Sequence, residues 1–473
     1  MAEAKASALA EEEAAVQLLP TAHVRALAAL KDSGASVLVL RLPAANREPI
    51  HDLDLLVAAG AMETVGSALL GVGFVPKTSP SGLPSKVVWA TYNEGRFHGM
   101  DVHTSIVSGG LTYLDAGLVL SRRIERAGCA LPSIEDSLLH LVLHALLGRR
   151  ELGGKYAPRI RQMAALDLDR AYMENHLAHF GLSNVFWEAL KGILGEARTQ
   201  PEALWRQARK RLLVRVPWNI VGRGRYRLAG ALRIRRRAAL VAFAGVDGVG
   251  KSALVSALQR VLSERGLRTA NVYLGCWGRY QTLAARWVSN YSPRDRPTAG
   301  ERRNAAVLRC LKNFLKFGLF YGAILFEQVV RYRRGVVRTN AHLVLSDRYL
   351  YDLEIPFSRR YVRSGRRVRR WIYSWFPAPD LIFHLWADPQ EIRSRKSELQ
   401  EEQIVQFDEI YRRVLAGRRA HRLQVLGSPE ELACRIIEER WRDLLTSCWA
   451  HAPRSAHRLV GLRKLSSQPR PVG

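Results

Sequence analysis

The stretch Phe243-Ala-Gly-Val-Asp-Gly-Val-Gly-Lys-Ser-Ala-Leu-Val255 decides the fold of the C-terminal half of the chain. Within it, Gly245–Ser252 spells G-x-x-x-x-G-K-S. The run before it, ALVAFAG (239–245), is short and apolar, as buried parallel strands are. The run after it, SALVSALQRVLSERG (252–266), has helical spacing and stops at glycine. A glycine-rich turn between strand and helix aims backbone N–H groups and the helix N-terminus at an anion. This pattern predicts a phosphate cradle formed by Gly245, Asp247, Gly248, Val249, Gly250, Lys251, Ser252 and Ala253. Lys251 is expected to reach the transferable phosphate of ATP, and the Ser252 hydroxyl to coordinate Mg²⁺.

Further along, TANVYLG (269–275), AHLVLSD (341–347) and LIFHLWA (381–387) alternate with helical segments. Strands alternating with helices predict a doubly wound parallel sheet over 238–447. The AHLVLSD run ends in Asp347-Arg348-Tyr349. An aspartate at the C-terminal edge of such a strand is placed to orient Mg²⁺ beside the loop. The adjacent arginine is placed to bridge donor and acceptor phosphates, since phosphoryl transfer rests on positioning and charge neutralisation. The other reading of this triplet is a strand end capped by a surface salt bridge. In PDLIFHLWADPQEIRSRKSELQ (379–400), a strand leads into a helix carrying Arg393, Arg395 and Lys396. That helix is either a basic lid that closes over the phosphates or a solvated basic face.

The phosphate loop with its internal aspartate, the DRY triplet, PDLIFHLWADP and the basic segment together resemble the thymidylate kinase family of nucleoside monophosphate kinases, over about 238–445. The resemblance implies Mg²⁺-dependent transfer of the ATP γ-phosphate to a phosphorylated acceptor. It implies Lys251, Asp347, Arg348, Arg393 and Arg395 as catalytic residues, Ser252 and Asp347 as metal ligands, and Arg348 and Tyr349 beside the acceptor. The chain departs from the family where the acceptor base binds: LYDLEIPFSRRY (350–361) replaces a serine and an Ala-Tyr-Gln stretch, and YLGCWGRY (273–280) replaces an acceptor segment. Arg279 is the candidate acceptor clamp there, and recognition of thymidine does not carry over. A regulator that binds nucleotide without transferring phosphate is the rival reading.

The N-terminal part carries a second constellation. HDLDLLV (51–57) puts Asp52 and Asp54 two apart on a strand, on one face, and GMDVH (99–103) offers Asp101 on a later strand. Three carboxylates holding Mg²⁺ align a hydroxyl with a nucleotide α-phosphate. With the helical region opening at PSIEDSLLHL (132–141), the pattern resembles the nucleotidyltransferase superfamily over about 21–200. Active members of that superfamily carry a Gly-Gly or Gly-Ser turn before the first aspartate. LRLPAANREPIHDLD (40–54) has none, so an active and a degenerate, non-catalytic domain both remain open. His140 and His144 stand four apart on one helix and read as a packed pair rather than as metal ligands.

The 473 residues suit two or three domains: an acidic lead-in (1–20), an α+β domain with a helical extension (21–200), a basic linker (201–237), the α/β kinase-like domain (238–447) and a tail (448–473). A net charge of +29 favours anionic partners. The linker is a candidate for nucleic acid or anionic lipid, although a solvated linker is the favoured reading. Five cysteines without C-x-x-C spacing argue against a zinc site and fit a reducing cytoplasm. No apolar run is long enough to predict a membrane span, and a homodimer is compatible with the sequence.

Overall fold

The computed structural model describes residues 14–42, 52–76, 85–126, 128–152, 154, 156–231, 238–275, 322–339, 341–355, 372 and 376–446, with 225–231 as backbone only. They fall into two compact units, one within 1–236 and one within 237–447. The expected lead-in and tail lie mostly or wholly outside the described residues.

In the first unit, α1 (Thr21–Asp32), β1 (Val37–Arg41), β2 (Asp52–Val57), α2 (Met62–Gly71), β3 (Val75–Pro76), β4 (Lys86–Asn93) and β5 (Arg96–His103) build a five-stranded sheet in the order β1-β2-β5-β4-β3. Only β2 and β5 run parallel; the other neighbours are antiparallel. The period-2 alternation of β2 assigns its faces. Leu53, Leu55 and Val57 join the core beneath α1 and α2, together with Trp89 and Met100. Leu56 joins the other core, and Asp54, two residues before it, shares that face.

That second core is largely helical. After the hairpin β6 (Ile106–Ser108) and β7 (Leu111–Leu114) come α3 (Ala116–Ser121), the pair β8 (Ile124–Arg126) and β9 (Cys129–Leu131), then α4 (Ile134–His144), α5 (Ala157–Ala164), α6 (Arg170–Phe180) and α7 (Ser183–Leu194). Ser133 caps α4 as the Pro132-Ser133 signal predicts: its hydroxyl accepts from the Asp136 N–H at 3.1 Å. Two more helices follow, α8 (Pro201–Arg215) and α9 (Trp218–Ala231). Here the structure differs from the expected solvated linker. Leu204, Ala208 and Leu212 form an i, i+4, i+8 stripe buried in the helical core, so α8 belongs to this unit.

In the second unit, β10 (Ala239–Ala244), α10 (Lys251–Glu264), β11 (Thr269–Val272), β12 (Leu343–Asp347), β13 (Leu381–Trp386), α11 (Pro389–Arg395), α12 (Glu401–Leu415), β14 (Ala420–Gln424) and α13 (Pro429–Thr446) form a mixed α/β unit. Its five strands are all parallel, in the order β11-β12-β10-β13-β14. Every residue of β10 is buried, as its unbroken apolar run predicts. Phe243 stacks on Phe383 of the neighbouring strand, centroids 5.5 Å apart, which stabilises the sheet centre by about 0.5–1.5 kcal/mol beyond simple burial. α10 and α13 pack against each other and against β10. Among the described residues no helix is long and apolar enough to cross a membrane. Of residues 371–376, Ile372 and Phe376 are buried, and the others lie outside the described residues.

Candidate functional site

The stretch between β10 and α10 forms a turn whose shape is set by two glycines. Gly245 has φ 151°, and a Cβ there would stand 2.5 Å from the Leu385 carbonyl oxygen, so only glycine lets the loop cross β13 so closely. Gly250, at φ 99°, turns the chain into α10 in the left-handed region. Val249 and Lys251 are buried, while Ser252 and Ala253 are exposed at the helix start. Gly248 faces the Ile392 and Lys396 end of α11.

Parallel pairing places Phe243 opposite Asp347, so the C-terminal end of β12 lies beside the start of the loop. The Ser252 hydroxyl donates to Asp347 Oδ2 at 2.6 Å. The other carboxylate oxygen, Oδ1, is buried and has no hydrogen-bond partner among the described residues. A buried, unpaired carboxylate oxygen beside a hydroxyl is a costly arrangement that a divalent cation would satisfy. The donor set of Ser252 and Asp347 therefore fits Mg²⁺.

Lys251 folds back onto its own loop. Its Nζ donates to the Gly245 and Val246 carbonyls, each at 2.8 Å, and lies 3.5 Å from Asp247 Oδ1. Burial first, and then the neighbouring Arg348 charge, pull its pKa down to about 8. Asp247 is held below the usual carboxylate range: burial alone would raise it, but Lys251 and Arg348 override that.

Arg348 is the one non-glycine residue of this unit with positive φ among those described, at 79°. Its N–H donates to the Phe243 carbonyl at 3.2 Å, and its own carbonyl accepts from the Ser346 hydroxyl at 2.7 Å. These bonds hold a backbone shape that non-glycine residues rarely adopt, as is common at functional sites. The guanidinium is thereby turned toward the loop, where it pairs with Asp247 and lies 3.3 Å from Asp352. Asp352 is buried, and the Tyr411 hydroxyl donates to its other oxygen at 2.7 Å. Sequence reasoning missed both residues. The i, i+4 spacing of Arg348 and Asp352 carried a signal; Tyr411, on α12, carried none.

The remaining expected residues lie elsewhere. Tyr349 is buried against Tyr351 and Phe376 with its hydroxyl on the Pro377 carbonyl, so its polar atom is spent in the core rather than facing an acceptor. Arg393 pairs with Glu401 at 3.5 Å and Arg395 with Glu391, both as exposed surface pairs. α11 nevertheless borders the loop: Arg395 Nη1 lies 3.9 Å from where a Gly250 Cβ would be. Arg279 lies outside the described residues.

In the first unit, Asp54 and Asp101 are register partners on the parallel strands β2 and β5. With His103 they form a group whose ligand atoms lie within 4.8 Å of one another. Asp52 does not belong to that group; it is exposed at the start of β2, paired in register with Gly99. His103 takes the third place, and its position two residues after Asp101 on the same strand was the available signal. Asp54 pairs with Arg41, which also donates to the Tyr156 hydroxyl at 2.9 Å, and Asp101 pairs with Lys86. Burial alone would raise the Asp54 carboxyl, but the His103 hydrogen bond and the Arg41 charge hold it well below its usual range. Two carboxylates and an imidazole form a chemically reasonable cation set. His140 is buried with its Nδ1 3.2 Å from the Tyr113 hydroxyl, as a packed histidine.

No protein-family model matches the chain, and no curated protein matches it.

Proposed function

We propose that the second unit is an ATP- and Mg²⁺-dependent phosphotransferase of the thymidylate kinase type, with a doubly wound sheet, acting on a nucleoside monophosphate or a similar phosphorylated acceptor. The observation that carries this reading is the meeting of Ser252 and Asp347 at 2.6 Å over the glycine turn, with Asp347 Oδ1 left unpaired. A bound Mg²⁺ would supply charge neutralisation for the phosphates. Lys251 and Arg348, now tied to Asp247, are the cations a polyphosphate would recruit from that carboxylate. Asp352 and Tyr411 keep the Arg348 guanidinium at the loop. α11 borders the loop closely enough for Arg395 to join it with a side-chain rotation. The test is ADP formation from Mg²⁺·ATP with a panel of nucleoside monophosphates. The reading expects at least one acceptor to raise ADP well above the rate without acceptor; no stimulation by any of them would favour the nucleotide-binding regulator.

A pH dependence follows from Lys251. Its charge is favourable once a polyphosphate binds, so binding raises its pKa from about 8 and takes up a proton whenever the pH lies above that value. ATP affinity is therefore expected to be insensitive to this group below pH 8. Above it, affinity falls by up to about tenfold per pH unit, until the pKa of the bound form is reached. Calorimetric titrations across that range should show the fall in wild type and a flatter profile in Lys251→Met. Equal profiles for the two proteins would exclude Lys251 as the coupled group.

A second reading gives the first unit nucleotidyl transfer, favoured by the convergence of Asp54, Asp101 and His103. Pyrophosphate release abolished by Asp54→Ala but kept by Lys251→Ala would assign it there.

A further inference from the structure

We propose that the corner between α8 and α9 docks onto an anionic lipid surface. One face of α9 is fixed to the first unit. The Asn219 side chain accepts from the Thr112 N–H at 2.8 Å and donates to the Thr112 and Leu212 carbonyls at 3.0 and 3.1 Å. Gly222 sits on the β6–β7 turn, where a Cβ would come within 2.7 Å of the Gly110 carbonyl oxygen. Arg223 Nη1 donates to the Gly109 carbonyl at 2.7 Å. With Asn219, Gly222 and Arg223 held inward, helical periodicity turns Trp218, Ile220 and Val221 outward. Their exposures are 81%, 61% and 47%, and Val214 in the last turn of α8 is 73% exposed. Four large apolar side chains at one corner of a fixed element form a patch that folding does not require to be in water.

The charge around the patch identifies its occupant. Residues 201–231 contain eight lysines or arginines against a single acidic residue, Glu202. Lys210 is exposed one turn before Val214 and Arg215 directly after it; Arg206, farther back on α8, is exposed but paired with Glu202. A bilayer interface takes indole at the headgroup level, aliphatic side chains just below it, and cations against lipid phosphates. Single-stranded nucleic acid would use the cations and the indole but has no apolar layer for Ile220, Val221 and Val214. A second copy of the chain, at net charge +29, is repelled by the same cations that an anionic surface attracts.

The test is co-sedimentation of the full chain with vesicles of phosphatidylcholine alone, or with about one-third phosphatidylglycerol. Binding to the anionic vesicles and little to the neutral ones is expected. The double substitution Trp218→Ser, Val221→Ser is expected to weaken that binding at least about tenfold, and Lys210→Glu with Arg215→Glu to do the same. These side chains are solvent-facing, so thermal unfolding should match wild type and report that the variants fold. Wild type that ignores anionic vesicles overturns the proposal, as does a serine variant that binds as wild type does. Concentration-dependent self-association lost in the serine variant would assign the corner to a second copy. Displacement from vesicles only by single-stranded DNA, with the serine variant unaffected, would assign it to nucleic acid; either outcome overturns the lipid proposal.

Discussion

Lys251→Ala is expected to lower phosphoryl-transfer turnover at least ~100-fold while the second unit stays folded. The ammonium is buried at the start of α10 and, among the described residues, bonded only to groups of its own loop: two carbonyls and, more distantly, Asp247. Removing it leaves the Gly245 and Val246 carbonyls without that donor, at a cost of about 1–3 kcal/mol. Relief of a charge held at a depressed pKa opposes that cost. Stability should therefore change little, while a cation aimed at the developing transition-state charge is lost. Single-turnover kinetics beside a thermal melt separate the two effects. Unchanged turnover in a folded variant would remove Lys251 from the mechanism.

The second large effect is expected from Asp347→Asn. The substitution keeps the shape and an oxygen able to accept from Ser252, so the 2.6 Å bond can survive. With that amide oxygen on Ser252, an NH₂ group replaces the carboxylate oxygen where the unpaired Oδ1 now stands. A hard divalent cation loses an anionic ligand, and turnover in Mg²⁺ should fall by about 100-fold or more, with weaker dependence on metal concentration. ATP binding in the absence of metal should be nearly unchanged, which distinguishes loss of a metal ligand from loss of the loop. Equal metal dependence in wild type and variant would contradict the assignment.

Much of this architecture was legible because it is local. The turn Gly245–Ser252 needs its glycines within one strand–loop–helix unit, and buried β10, β12 and β13 announce themselves as apolar runs. β14, reading AHRLQ, is an edge strand with mostly polar residues and no fully buried one, so no apolar run marked it. α8 read as a linker because its arginines outnumber the three-residue stripe Leu204, Ala208 and Leu212 that docks it. The site was legible where two motifs supply it, at Ser252 and Asp347, and illegible where it depends on tertiary closure. Tyr411 reaches Asp352 across 59 residues of sequence, and the hydroxyl of Tyr349 turned out to be satisfied in the core. In the first unit, parallel pairing of β2 with β5 brought His103 rather than Asp52 to Asp54 and Asp101.

The most direct test of the central claim is a crystal structure with a non-hydrolysable ATP analogue and Mn²⁺, located by its anomalous signal. The account predicts one ion peak at the Ser252 hydroxyl and the Asp347 carboxylate, directly or through one water, at roughly 2–4.5 Å, with the triphosphate on the Gly245–Ser252 amides and Lys251 drawn off its loop carbonyls. A nucleotide bound elsewhere, or an occupied loop with no ion facing Asp347, would contradict it.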